Sequence, residues 1–162
     1  MFSCGLIGLL LLCLHMVLPL DARATMQEHD GIRYEGKDLI ILECPLNCIR
    51  NSKDMLDFDV ISTANRKGYT ASWKITRSRL FLTSFSAKIA GKSVTIENLI
   101  PGRSLPVFAD WYTGQVRIPI PETTQTANEN SFRETWTLII LDIERGHVTK
   151  TSVQRSVPFP LR

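Results

Sequence analysis

From residue 69 to residue 76 apolar and polar side chains alternate. Tyr69, Ala71, Trp73 and Ile75 fall on one side, and Thr70, Ser72, Lys74 and Thr76 on the other. A period of two marks a strand with one buried face, because successive strand side chains point to opposite faces. Arg77-Ser78 then reads as a turn, and residues 79–89 return as a second strand, with Leu80, Leu82 and, as a further candidate, Phe85 turned inward. Residues 31–34 and 38–42 flank Glu35-Gly36-Lys37 as a hairpin with a Gly-bearing turn. Residues 56–61 alternate until their end and predict another half-buried strand. Residues 49–55 are polar and predict a loop or a short helical turn. After a turn at Gly91, residues 93–97 predict a short strand, which Ile100-Pro101-Gly102 ends.

The stretch 107–119 concentrates aromatic, charged and turn residues more than any other. Residues 105–112 and 115–118 flank Thr113-Gly114 as a predicted hairpin, and Pro119 and Pro121, which cannot donate to a ladder, put it at a sheet edge or end it there. The polar run 122–131 lacks hydrophobic periodicity and reads as a mobile loop. Residues 135–144 are apolar on both faces, the pattern of a central strand covered on both sides. Gly146 turns the chain into residues 148–157, and Pro158 and Pro160 close it in an extended tail. About ten short strands with frequent turn signals, and no long amphipathic helix, predict an all-β domain: a single antiparallel β-sandwich or a partly closed barrel.

The N-terminus sets this body apart. Residues 2–20 are almost wholly apolar and are followed by Asp21-Ala22-Arg23-Ala24. An apolar run ending in small-x-small is how a secretory signal peptide ends, so residues 1–24 read as a signal and residues 25–162 as one β domain. No Lys or Arg precedes the run, and its length approaches that of a membrane span, so an anchor formed by residues 2–20 is the alternative. Leu12 before Cys13 does not fit a lipoprotein signal. The expected location is periplasmic or secreted. The formal net charge is +3 with its charges scattered, which gives no argument for nucleic acid as a partner.

Cys44 and Cys48 enclose Pro45-Leu46-Asn47, whose Pro and Asn suit a turn. In an exported chain such a pair reads first as a local disulfide; free or intermolecular thiols and redox or metal chemistry are the other readings. His29 and His147 are the other residues of a conceivable zinc site, but no His pair has ligand spacing, so no metal and no cofactor is expected.

Asp110, between Ala109 and Trp111, is the candidate acid or base. Burial raises a carboxyl pKa, and glycosidase-like hydrolysis then needs a second carboxylate, for which Asp57, Asp59 or Glu97 is available without any spacing that selects one. The plainer reading has Asp110 stabilising the Thr113-Gly114 turn or pairing with Arg117 across the hairpin. Trp111 and Tyr112 are adjacent, so strand alternation turns only one of them into the core and leaves the other as a binding-platform candidate beside Tyr69. Sheet packing of these aromatics is the alternative. Arg66, Lys67 and Arg117 are candidates for anion binding or solvated strand-end charges. No phosphate loop, nucleophile elbow or His-Glu-x-x-His is present.

Three blocks carry a resemblance. Ser62-Thr63-Ala64 through Gly68-Tyr69-Thr70-Ala71-Ser72-Trp73, then Leu80-Phe81-Leu82, then Phe108-Ala109-Asp110-Trp111-Tyr112-Thr113-Gly114 with Arg117-Ile118-Pro119, resemble a group of small bacterial proteins without assigned function. Where that group has Trp-Arg before Gly-Tyr, this chain has Arg66-Lys67. The resemblance implies one shared β domain and supplies no reaction. Taken together, the residues point to a binding module for a protein or cell-envelope component rather than to an enzyme, with a small hydrolase using Asp110 and a second carboxylate as the alternative.

Overall fold

The computed structural model describes residues 26–52, 57–124 and 133–158. The predicted signal or anchor, the end of the predicted tail and most of the predicted loop at 122–131 lie outside these residues. In chain order the elements are β1 (Asp30–Tyr34), β2 (Lys37–Ile41), α1 (Asn47–Ser52), β3 (Tyr69–Thr76), β4 (Arg79–Ile89), β5 (Lys92–Val94), α2 (Ile96–Leu99), β6 (Val107–Phe108), β7 (Gly114–Thr124), β8 (Arg133–Glu144) and β9 (His147–Pro158). The fold is all-β. One sheet runs β2-β1-β3-β4-β9-β8-β7, with β5 and β6 also paired to β4.

The segments 69–76 and 79–89 become strands with the predicted bounds. In β3, Tyr69, Ala71 and Trp73 are buried and Thr70, Ser72, Lys74 and Thr76 exposed. In β4, Leu80 and Leu82 face inward, and then the inward parity changes to Phe85 and Ala87. A bulge makes the change: Trp73 pairs with Leu82 but Ser72 pairs with Ser84, which leaves Thr83 as the extra residue. Its hydroxyl donates to the Ser72 carbonyl at 3.0 Å. β8 pairs on both sides, with β7 and β9, but lies one strand from the end of the order, and Pro119 and Pro121 lie on β7, at that end. Glu122 continues β7 instead of opening a loop.

The sheet differs from the expected antiparallel arrangement in one pair. β1 runs parallel to β3, with Arg33 opposite Lys74. A parallel pair needs a long crossover, and the chain between β2 and β3, which includes α1, provides it. Among the described residues the sheet is not closed into a barrel. Its end strands β2 and β7 approach where the Leu42 N–H donates to the Arg117 carbonyl at 3.1 Å, a single bond without a ladder. One core, centred on Tyr69, Trp73, Leu80, Leu82, Val116, Ile118 and Leu141, draws on strands from β1 to β8.

Two predicted strands are corrected. Residues 57–61 form no strand: the Asp59 N–H makes one bond to the Lys88 carbonyl, and the Asp59 carboxylate accepts from the Ala90 and Gly91 N–H groups. Phe58 is buried as alternation requires, but Val60 and Ile61 are exposed. Residues 93–97 are strand only at their start, where Ser93 and Val94 belong to β5 and pair with β4. Thr95 caps α2, with the Asn98 side chain accepting from the Thr95 N–H at 2.8 Å.

Candidate functional site

The stretch 107–119 is not a hairpin. Its first half, β6, pairs with β4, placing Phe108 opposite Phe81; its second half, β7, pairs with β8. Residues 109–112 between them form a turn, closed by the Tyr112 N–H on the Ala109 carbonyl at 3.0 Å. Strand alternation therefore does not govern Trp111 and Tyr112. Tyr112 is buried and donates its hydroxyl to the Gln115 carbonyl at 2.5 Å, and burial, with the Glu43 charge next in importance, pushes its phenol well up. Trp111 is half-buried against the same core, with its indole N–H enclosed and without an acceptor among the described residues. Neither stands out as a free aromatic platform.

Asp110 and Arg117 do not meet. Arg103 grips Asp110 with two bonds of 3.0 and 2.8 Å, and this pairing holds the carboxyl below the usual carboxylate range. That is the opposite of the raised value a general acid needs. Arg117 instead takes Glu43: its backbone N–H donates to Glu43 Oε2 at 2.6 Å and its Nε to Oε1. This pair ties the chain just after β2 to β7.

A second cluster lies under residues 62–69. Asp30 is a fully buried carboxylate, bonded by Trp73 Nε1 at 3.0 Å and by Lys67 Nζ. Burial raises its pKa against the lowering from those two donors. The Lys67 ammonium also stands 5.0 Å from the Tyr69 ring centre, and the Tyr69 hydroxyl donates to Asn47 Oδ1 at 3.0 Å. Arg66 is exposed, its N–H on Gln27 Oε1 at 3.5 Å. Of the three candidate anion binders, Lys67 and Arg117 are each paired with a carboxylate, and Arg66 is exposed.

Cys44 and Cys48 are free, which corrects the local disulfide. The Asn47 N–H donates to the Cys44 carbonyl at 2.9 Å, so the turn runs directly into α1. Cys44 is left half-buried and Cys48, on the helix, exposed. Burial, and after it the Asp30 charge, pushes the Cys44 thiol up, away from a reactive thiolate. No group of three or more His, Cys, Asp and Glu among the described residues is placed to hold a metal ion.

The outer face of the sheet gathers what the sequence did not assemble. Register places Arg33, Lys74, Phe81 and Phe108 in one row across β1, β3, β4 and β6. Thr76, Arg79 and His147 form the next row. Neighbouring strands lie about 4.8 Å apart, so the first row spans roughly 14 Å. The Phe108 ring lies 5.6 Å from Phe81, 5.1 Å from His147 and 5.7 Å from the Arg79 guanidinium carbon. Lys74 and Arg79 have no acidic partner among the described residues, and Arg33 reaches Asp38 only at 3.4 Å across a well-exposed pair. Beside the first row lies a groove of about 360 Å³, lined by Gly31, Arg33, Asp38, Leu39, Ser72, Trp73, Lys74 and Thr83 among others. A side chain on Gly31 would point at Ser72 Oγ, 3.7 Å away, so the glycine keeps this part of the face low. The signal that points here is the polar half of the alternation in β3 and β4, which becomes a surface once their register is known.

No family model, no curated protein and no solved structure matches this chain.

Proposed function

We propose that this protein is a non-enzymatic exported binding module that docks a protein or cell-envelope component on the outer face of its sheet. The observation that carries the reading is the row Arg33–Lys74–Phe81–Phe108 beside the groove over Gly31 and Ser72. It joins a lysine without an acidic partner among the described residues, an arginine in a long exposed pair, aromatic rings and a concavity on a hydrogen-bonded part of the sheet, the features by which a binding face differs from an ordinary solvated one. Export rests on the apolar run at residues 2–20 and the small-x-small site that ends at Ala24. A small hydrolase built on Asp110 has weaker support, because Arg103 keeps that carboxyl ionised and occupied. The test is co-sedimentation of residues 25–162 with an isolated bacterial envelope fraction. Retention that disappears in Lys74→Glu/Arg79→Glu, with the thermal melt unchanged, is the expected result. Retention equal in wild type and variant, or none in either, overturns this use of the face.

A further inference from the structure

The chemistry of the same face selects among ligands. We infer that the groove over Gly31 and Ser72 takes an acidic sugar, a uronate unit of an anionic glycan, with its carboxylate against Lys74 and Arg33; this rests on the binding-face reading above.

The groove's volume, about 360 Å³, lies in the range of small-ligand sites, roughly 300–1,000 Å³. Its rim is cationic at Lys74 and Arg33, which fits a carboxylate, and Arg33 is held by Asp38 only in a long exposed pair that a ligand can exchange. The Ser72 and Thr83 hydroxyls and the Asp38 carboxylate supply both senses of hydrogen bond to sugar hydroxyls. Phe81, next to Lys74 in the row, is the partly exposed ring that suits the C–H face of a pyranose.

An extended peptide fits this place less well. β3 is bonded on both sides here, to β1 and to β4, so no free backbone is available for strand addition. Single-stranded nucleic acid needs open aromatic planes for successive bases, whereas Phe108 is already in contact with Arg79, Phe81 and His147. Charge complementarity with a short, hydroxyl-rich anion remains.

The experiment is biolayer interferometry of residues 25–162 against immobilised polygalacturonate, with dextran, poly-glutamate and single-stranded DNA as comparisons. Saturable binding to polygalacturonate is expected, absent on dextran and weaker on poly-glutamate and DNA. Lys74→Ala/Arg33→Ala should weaken it about tenfold or more, and Phe81→Leu, which leaves the charge unchanged, should weaken it about threefold. Equal binding to poly-glutamate or DNA overturns the sugar assignment, as does indifference to the variants or no binding to polygalacturonate. If polygalacturonate fails while envelope retention persists and is still lost in Lys74→Glu/Arg79→Glu, only the glycan assignment falls. If that retention is also absent, the binding-face reading falls with it.

Discussion

Trp73 donates its indole N–H to Asp30 Oδ2 at 3.0 Å inside the core, and Lys67 reaches the other oxygen of the same carboxylate. The Trp73 bond fixes β3 to the start of β1, and Lys67 is the only cation paired with this buried negative charge among the ion pairs of the described residues. Breaking such a pair by removing one partner typically costs about 3–5 kcal/mol, because the other charge stays buried.

Lys67→Met is therefore expected to destabilise the fold by about 3 kcal/mol or more at pH 7, read by urea unfolding. The pH dependence has a definite sign. The Asp30 pKa is already raised in the fold, so its contribution is fully present below the ordinary value of 3.8 and is lost as pH rises through the folded value. Without Lys67 the folded value rises further, so the defect should shrink as the solution is acidified towards pH 4. Adding Asp30→Asn should recover most of the loss at pH 7, since Trp73 keeps an acceptor. A defect that is the same at pH 4 and pH 7 would contradict the buried-charge account.

Gly146 has φ +79°, and a Cβ there would come within 2.6 Å of the Ala109 carbonyl oxygen and 2.8 Å of the Phe108 ring. Its own N–H donates to the Tyr112 carbonyl, and its carbonyl accepts from the Leu80 N–H, both at 2.8 Å. The residue thus joins β4, the turn before β7 and the β8–β9 connection. Left-handed strain alone costs on the order of 1–3 kcal/mol, and the obstructing atom is backbone that cannot turn aside. Gly146→Ala should lose about 3 kcal/mol or more in chemical unfolding. Gly91→Ala, whose Cβ meets nothing within 4 Å, should lose clearly less.

Asp110 and Arg103 make a two-bond pair, but both side chains are about two-fifths exposed, at 40% and 39%. Exposed pairs are worth roughly 0–1 kcal/mol. Asp110→Asn should cost less than about 1 kcal/mol at pH 7. Because Arg103 lowers the Asp110 pKa, that contribution is present above the ordinary value of 3.8 and lost as pH falls through the folded one. Wild type and variant should therefore converge in thermal stability as the pH drops below 3.8. A variant that abolished a hydrolytic activity while melting normally would revive the enzymatic alternative.

Strand content was legible wherever one side of the chain had to be dry. β3, β4 and the β1–β2 hairpin follow directly from alternation and turn residues, and the two prolines located β7 at the end of the strand order. What alternation does not encode is the partner of each strand. Val107 and Phe108 read like the first arm of a hairpin, yet their partners are Leu82 and Phe81, distant in sequence. Once that pairing is lost, so is the supposed meeting of Asp110 with Arg117, and the Trp111/Tyr112 dilemma disappears with the strand that created it. The outer-face row was half visible: Lys74 was assigned to the polar side of β3, but the sequence holds no sign that Arg33 and Phe81 flank it. Thr83 shows the same limit on a smaller scale, since one inserted residue reverses the facing of everything after it.

Cys44 and Cys48 provide the remaining check. Proximity in sequence favoured a disulfide, but the hydrogen-bonded turn from Cys44 into α1 leaves one thiol half-buried and the other exposed. Non-reducing alkylation of the native protein, followed by peptide mass spectrometry, should find both residues modified after denaturation. In the folded state Cys48 should react first. Cys44 should lag, because it is half-buried and burial raises its thiol above the ordinary value of 9.0. Cys44→Ser should leave the rate at Cys48 unchanged. A peptide recovered intact as an internal disulfide, with neither thiol labelled before reduction, would overturn the free-thiol assignment and require the start of α1 to be rearranged.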